Sequence, residues 1–117
     1  MADLPAIGFI GLGTMGLPMA ALVQGAGYGL NIVDFDPPLP QQLLDGGARV
    51  CATNRQVAEV ADIVVLMVPD TPDVETVLFA DDGVAAGLRP GSTVVNMSSI
   101  SPAATIEFAH RINDLGC

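Results

Sequence analysis

The 117 residues carry thirteen acids against four arginines, a net charge of −9, and half of them are hydrophobic while only 4% are aromatic. That length allows one domain, which buries roughly two-thirds of its unfolded surface without staples. The charge excludes nucleic acid, whose phosphates need a basic face, and docking on anionic membranes. A dinucleotide stays possible, because its phosphates can be held by backbone N–H groups at a helix N-terminus.

Residues 6–10 read as a first strand and 15–25 as a helix, with Pro18 in the opening turn where a missing N–H costs little. Residues 30–33 form a second strand. Pro37, Pro38, Leu39 and Pro40 make a break, and a short helix then ends at Gly46 and Gly47. Residues 49–51 are a short third strand, and Asn54 is placed to cap a helix running to Ala61. Residues 63–68 are six apolar residues in a row, the pattern of a strand buried on both faces. Thr71 followed by Pro72 reads as an N-cap with proline at the first helical position, opening a helix to Phe79. Pro90 and Gly91 turn the chain into a fifth strand, 93–97. Ser101 and Pro102 repeat the cap-plus-proline start for a helix ending near Gly116. Strand and helix thus alternate about five times, which predicts an α/β fold with an open, doubly wound, mostly parallel sheet of the Rossmann type. The chain reads as a single dinucleotide-binding domain over 1–117, an N-terminal fragment that stops before a sixth strand.

The stretch 4–33 has no charge, which superficially suggests a membrane span. It also holds seven glycines and two prolines, and no basic residue precedes it as a signal peptide requires. Cys51 and Cys117 form no CxxC or metal-type cluster and read as free thiols of a cytoplasmic protein. Asp81 and Asp82 read as solvated surface, and no metal site is expected.

The binding motif is Gly11-Leu12-Gly13-Thr14-Met15-Gly16, after an apolar strand and before a helix, with Asp34 ending the next strand 23 residues after Gly11. Gly11 allows the tight turn, Gly13 lets a pyrophosphate approach the backbone, and Gly16 lets the helix pack close to the strand. Asp34 can accept both ribose hydroxyls of NAD and would repel the 2′-phosphate of NADP. Phe35 and Asp36 offer no basic residue to offset that repulsion. NAD is therefore expected over NADP. Two alternatives are a glycine turn that binds nothing and a methyl-donor-binding relative of the fold, which tends to lack the third glycine. Two further loops belong at the carboxyl ends of strands, where such sheets bind ligands: 68–73 and 98–102. Thr71 and Ser101 read as caps, whereas Ser98 and Ser99 precede a cap, and a ligand role for them is open.

The segments 7–20, 67–75 and 97–102 together resemble the β-hydroxyacid dehydrogenases, with the tartronate semialdehyde reductases as the nearest branch and the 3-hydroxyisobutyrate dehydrogenases next. The resemblance covers essentially the whole chain. It implies NAD(P)-dependent interconversion of a small β-hydroxy acid and its semialdehyde. It also implies cofactor contacts at Gly11, Leu12, Gly13, Thr14, Met15, Gly16, Asp34, Phe35, Val68, Pro69, Asp73 and Ser99. Ser98 and Ser99 are the substrate-side candidates. NADP-using members often carry Asn-Arg where this chain has Asp34 and Phe35. Asn96 stands where the family usually has Asp.

The family's substrate-binding Ser-Gly-Gly segment would follow Cys117, and its catalytic lysine lies in a further helical domain. This chain has no lysine. Reducing an aldehyde by hydride transfer needs a proton donor for the developing alkoxide, and arginine, with a pKa above roughly 12, is a poor one. His110 falls well inside the last helix, away from any strand's carboxyl end. Ser99 has no neighbour placed to activate it. No catalytic residue is therefore expected, and the chain alone should bind NAD weakly and turn over nothing. The competing reading is a free-standing NAD-binding module, a sensor or scaffold, associating with further copies through an exposed sheet edge. A homo-oligomer is expected on either reading.

Overall fold

The computed structural model describes residues 4–12, 16–33, 41–68, 70–98 and 100–117. The expected break at Pro37, Pro38, Leu39 and Pro40 lies outside the described residues, as does Met15, the expected first residue of the first helix. The described elements alternate as read from the sequence. They are β1 (Ile7–Ile10), α1 (Gly16–Gly25), β2 (Leu30–Val33), α2 (Gln41–Asp45), β3 (Arg49–Val50) and α3 (Asn54–Val60), then β4 (Ile63–Leu66), α4 (Thr71–Phe79), α5 (Val84–Gly87), β5 (Thr93–Asn96) and α6 (Pro102–Asn113).

All four strand pairings are parallel, and the order across the sheet is β3-β2-β1-β4-β5. The chain lays strands outward from β1 to β3, then returns past β1 to lay β4 and β5 on the other side. β1 and β4 are therefore the neighbours at which the winding reverses, and they end in register, Ile10 beside Leu66.

Alternation along the strands sends side chains to two cores. On one face Ile7, Phe9, Leu30 and Ile32 pack against Ala20 of α1 and Leu43 of α2. On the other, Ile10, Val33, Val64 and Leu66 pack against Val57 and Ala58 of α3, Val74 and Val77 of α4, and Phe108 and Ile112 of α6. Helices on both faces of a parallel sheet make this the doubly wound fold expected.

Several local expectations are corrected. Residues 63–68 were expected to be buried on both faces. β4 instead ends at Leu66, and its residues alternate: Val64 and Leu66 are buried while Ile63 and Val65 are half-buried. α1 and α2 sit over β1 and β2, and Val95 and Met97 beyond β4 are exposed. Asn54 is not the cap of α3; the Thr53 side chain accepts the Gln56 N–H at 3.1 Å. Thr71 is not the cap of α4; the Asp70 carboxylate accepts the Thr71 N–H at 2.7 Å. Both pairs place two cap-forming residues side by side, and the one in extended backbone takes the role. α5 was not expected at all. α6 ends at Asn113 rather than near Gly116, where the chain turns and the Gly116 carbonyl accepts from the Gly91 N–H at 2.8 Å. No helix among the described residues is long and apolar enough to cross a membrane.

Candidate functional site

In open parallel sheets, ligands bind outside the carboxyl ends of the strands where the winding reverses. Here that place is the crevice between the ends of β1 and β4, and it is built from short-range contacts. The Met67 N–H donates to the Ile10 carbonyl at 2.9 Å, extending the ladder one step beyond β4 and bringing Met67 beside Gly11. Gly11 has φ +101, a region that side-chain-bearing residues rarely adopt. A Cβ there would also run into the Met67 carbonyl oxygen. Both the tight turn and the close approach to β4 thus require glycine.

Gly16 opens α1, and a Cβ on it would strike the Gly11 carbonyl oxygen and meet the Phe9 ring at 3.4 Å. The helix start is pressed onto the turn, which agrees with the packing role expected of the third glycine. The first turn of α1 holds no acidic residue, so no carboxylate competes there for the partial positive charge of the helix end. An anion-receptive turn under a helix N-terminus fits the pyrophosphate of a dinucleotide. Gly13, Thr14 and Met15, the centre of the expected motif, lie outside the described residues. So do Asp34, Phe35, Pro69 and Ser99.

Of the remaining sequence candidates, Gly11, Leu12, Gly16, Val68 and Ser98 gather at these strand ends. The Ser98 hydroxyl accepts the Val68 N–H at 2.8 Å, and the Ser98 N–H donates to Asn96 Oδ1 at 3.0 Å. Asn96 thus supplies a carbonyl-type acceptor, and the local hydrogen bond is made. Asp73 lies exposed in the first turn of α4, where its charge also favours the helix. Thr71, freed from capping, uses its hydroxyl to accept the Ser101 N–H at 3.3 Å. Sequence reasoning missed this bond and the contact of Gly11 with Met67, because both join residues far apart in the chain.

His110 is exposed in the last turn of α6. That helix begins after β5, so its last turn is carried away from the strand ends. A cavity of about 360 Å³ lies along β5 and α6, between Leu78, Val94, Phe108 and Ile112. It follows the sheet's edge rather than the reversal point and touches none of the described residues of the glycine turn. Burial pushes the Cys51 thiol up from its ordinary value of 9.0, against a smaller lowering by Arg49. Its neighbourhood is the core rather than the crevice.

A parallel sheet with a glycine turn at its reversal point and a helix start pressed onto that turn defines a dinucleotide-binding domain. The chain belongs to the family described as the NAD binding domain of 6-phosphogluconate dehydrogenase, which matches residues 6–117. It is 48% identical over 110 residues to the 2-hydroxy-3-oxopropionate reductase of Escherichia coli (strain K12), covering 94% of this chain and 37% of that protein. Its fold matches that of 3-hydroxyisobutyrate dehydrogenase from Salmonella typhimurium with a TM-score of 0.88 at 36% identity, over 97% of this chain and 39% of the other. It also matches an imine reductase variant from Myxococcus stipitatus in complex with NAD+, with a TM-score of 0.87 at 27% identity, over 97% of this chain and 38% of that one. The chain therefore spans well under half the length of these relatives. The first two are β-hydroxyacid dehydrogenases of the branches that its three sequence segments resemble. It is an NAD-binding domain of that family.

Proposed function

We propose that this domain holds NAD for the interconversion of a small β-hydroxy acid and its semialdehyde, a reaction of the 2-hydroxy-3-oxopropionate reductase type. The carrying observation is the positive-φ glycine turn at Gly11, closed against Met67 and facing the start of α1. The bound nicotinamide would supply or take up the hydride. The backbone N–H groups of Gly11, Leu12, Gly13, Thr14, Met15 and Gly16 would hold the pyrophosphate. Val68, Pro69, Asp73 and Ser99 would flank the cofactor further along the crevice. Ser98 and Ser99 would face the substrate end.

β1 and β2 end in register, Ile10 beside Val33, and Asp34 and Phe35 follow directly in the sequence. An Asp34 carboxylate at that strand end would bond the ribose hydroxyls of NAD and repel the extra phosphate of NADP. The fold by itself does not choose, since the Myxococcus stipitatus imine reductase is also matched in complex with NADP+. No lysine is present, and His110 lies in the last turn of α6, away from the strand ends. Residues 1–117 would therefore act as one cofactor-binding domain, without turnover of its own.

Calorimetric titration with NADH and NADPH tests the reading. NADH should bind more tightly. Asp34→Asn removes charge-assisted hydrogen bonds, each worth about 1.5–3 kcal/mol, so NADH affinity should fall about 10- to 100-fold and its lead over NADPH should shrink. Equal affinities for the two dinucleotides in the unmutated chain would refute the assignment of Asp34. A second reading, a module that associates with further copies, is favoured by β5 as a sheet edge with Val95 and Met97 exposed beside it. Light scattering at increasing concentration tests it: a rising mass supports it, and a constant monomer mass counts against it.

A further inference from the structure

We infer that Ser98 and Thr71 are positioning residues whose hydroxyls fasten the loop after β4 to the loop after β5, making one wall of the dinucleotide crevice. The inference rests on the cofactor reading above. The backbone ladder between these chains ends where the Met97 N–H donates to the Leu66 carbonyl at 2.9 Å. Beyond that point the described residues continue the connection through side chains. The Val68 N–H donates to Ser98 Oγ at 2.8 Å, and the Ser101 N–H donates to Thr71 Oγ1 at 3.3 Å. Both bonds join residues thirty apart in sequence, one running from each loop to the other.

The two bonds act in opposite senses, which makes the pair a fastener rather than a repeat of the ladder. In the first, the loop after β4 donates its backbone to a hydroxyl of the loop after β5. In the second, the loop after β5 donates to the hydroxyl of Thr71, the residue with which α4 begins at the end of the loop after β4. Ser98 is itself fixed, because its own N–H is held by Asn96 Oδ1 at 3.0 Å. Thr71 lies one residue past the Asp70 cap, so its backbone is anchored to the start of α4. Ser101 caps α6, its side chain accepting from the Ala104 N–H. Three of the four groups joined are therefore already held, and together the bonds set the spacing of the two helix starts.

Neither hydroxyl is part of the apolar cores. Their loss should lower global stability modestly, without unfolding the domain, while loosening the wall against which a ligand at the strand ends would rest. A preorganised wall lowers the ordering cost of binding. Restoring that order on binding should read as a several-fold loss of affinity.

The test uses Ser98→Ala, Thr71→Val, the double variant and Ser98→Thr. NADH affinity is measured by calorimetry and amide hydrogen exchange by NMR. Ser98→Ala and Thr71→Val should each weaken NADH binding about three- to tenfold with only a modest fall in the urea midpoint, and Ser98→Thr should keep most of the affinity. The double variant should lose less than the product of the single losses, since the first cut already frees the wall. The diagnostic readout is the Ser101 amide, which should exchange faster in Ser98→Ala although its own partner, Thr71, is intact. Weaker binding with an unmoved Ser101 amide and multiplicative losses would make Ser98 a direct contact and overturn the inference. Binding by the variants equal to that of the unmutated chain would also overturn it. If the unmutated chain does not bind NADH, the cofactor reading itself fails, and this inference fails with it.

Discussion

Replacing Gly11 by alanine tests the glycine turn through two separable costs. The first is conformational: φ is +101, and holding an L-residue in so sparsely populated a region costs about 1–3 kcal/mol. The second is steric. The new methyl would run into the Met67 carbonyl oxygen and sit 3.3 Å from Val68 Cγ1. The Met67 backbone is held through its own N–H by the Ile10 carbonyl, so its carbonyl cannot swing aside as a flexible side chain does, and overpacking of this kind costs about 1–3 kcal/mol. Together the variant should lose about 2–6 kcal/mol, a large part of the 5–15 kcal/mol that stabilises domains of this kind. The control is Gly25→Ala at the end of α1, where an added Cβ meets nothing within 4 Å. That change should be neutral or stabilising by up to about 1 kcal/mol. Urea unfolding followed by far-ultraviolet circular dichroism reads both, since the chain lacks tryptophan. If Gly11→Ala is as stable as Gly25→Ala, the close approach of the turn to β4 is wrong, and so is the crevice built on it.

Two further predictions concern stability and chemistry. Arg89 donates to the Ala61 carbonyl and to Asp62 Oδ1, both at 3.0 Å, while Asp62 Oδ2 accepts from the Ala6 N–H at 2.9 Å. Arg89 and Asp62 are about half exposed, so Arg89→Ala should cost only about 0.5–1 kcal/mol in urea unfolding; a loss above about 3 kcal/mol would show a buried role that this geometry does not give. The raised pKa of the Cys51 thiol favours its protonated form in the folded state. Its contribution to stability is therefore complete below the ordinary thiol value of 9.0 and is lost as pH rises through the higher folded value. Unfolding midpoints of the unmutated chain and Cys51→Ala from pH 8 to 11 check this, the former falling more steeply at the alkaline end. Parallel curves would refute it.

The sheet was legible because its strands are short apolar runs set off by glycine and proline; β2, β3, β4 and β5 begin where they were read, and β1 begins one residue later, at Ile7. The glycine turn was legible because its spacing is tied to one local geometry. What escaped the sequence is what depends on partners elsewhere in the chain. Thr53 with Asn54, and Asp70 with Thr71, are pairs in which either residue can cap a helix. The choice falls to backbone angles set by packing. The four residues of α5 show no helical periodicity and follow Gly83, which makes no side-chain cap. Ile63 and Val65 read as fully buried because an apolar run does not reveal how far the helices extend over the sheet. The hydroxyls of Ser98 and Thr71 read as ligand or cap groups because their bonding partners lie thirty residues away.

The most direct test is a two-dimensional amide NMR spectrum of the chain titrated with NAD+. The central claim is that dinucleotide binds at the carboxyl ends of β1 and β4. Saturable shifts should therefore cluster on Gly11, Leu12, Gly16, Val68 and Ser98, with β3 and the far end of α6 unmoved. Shifts confined to the cavity beside β5 and α6, around Val94 and Phe108, would place the ligand elsewhere and contradict the account.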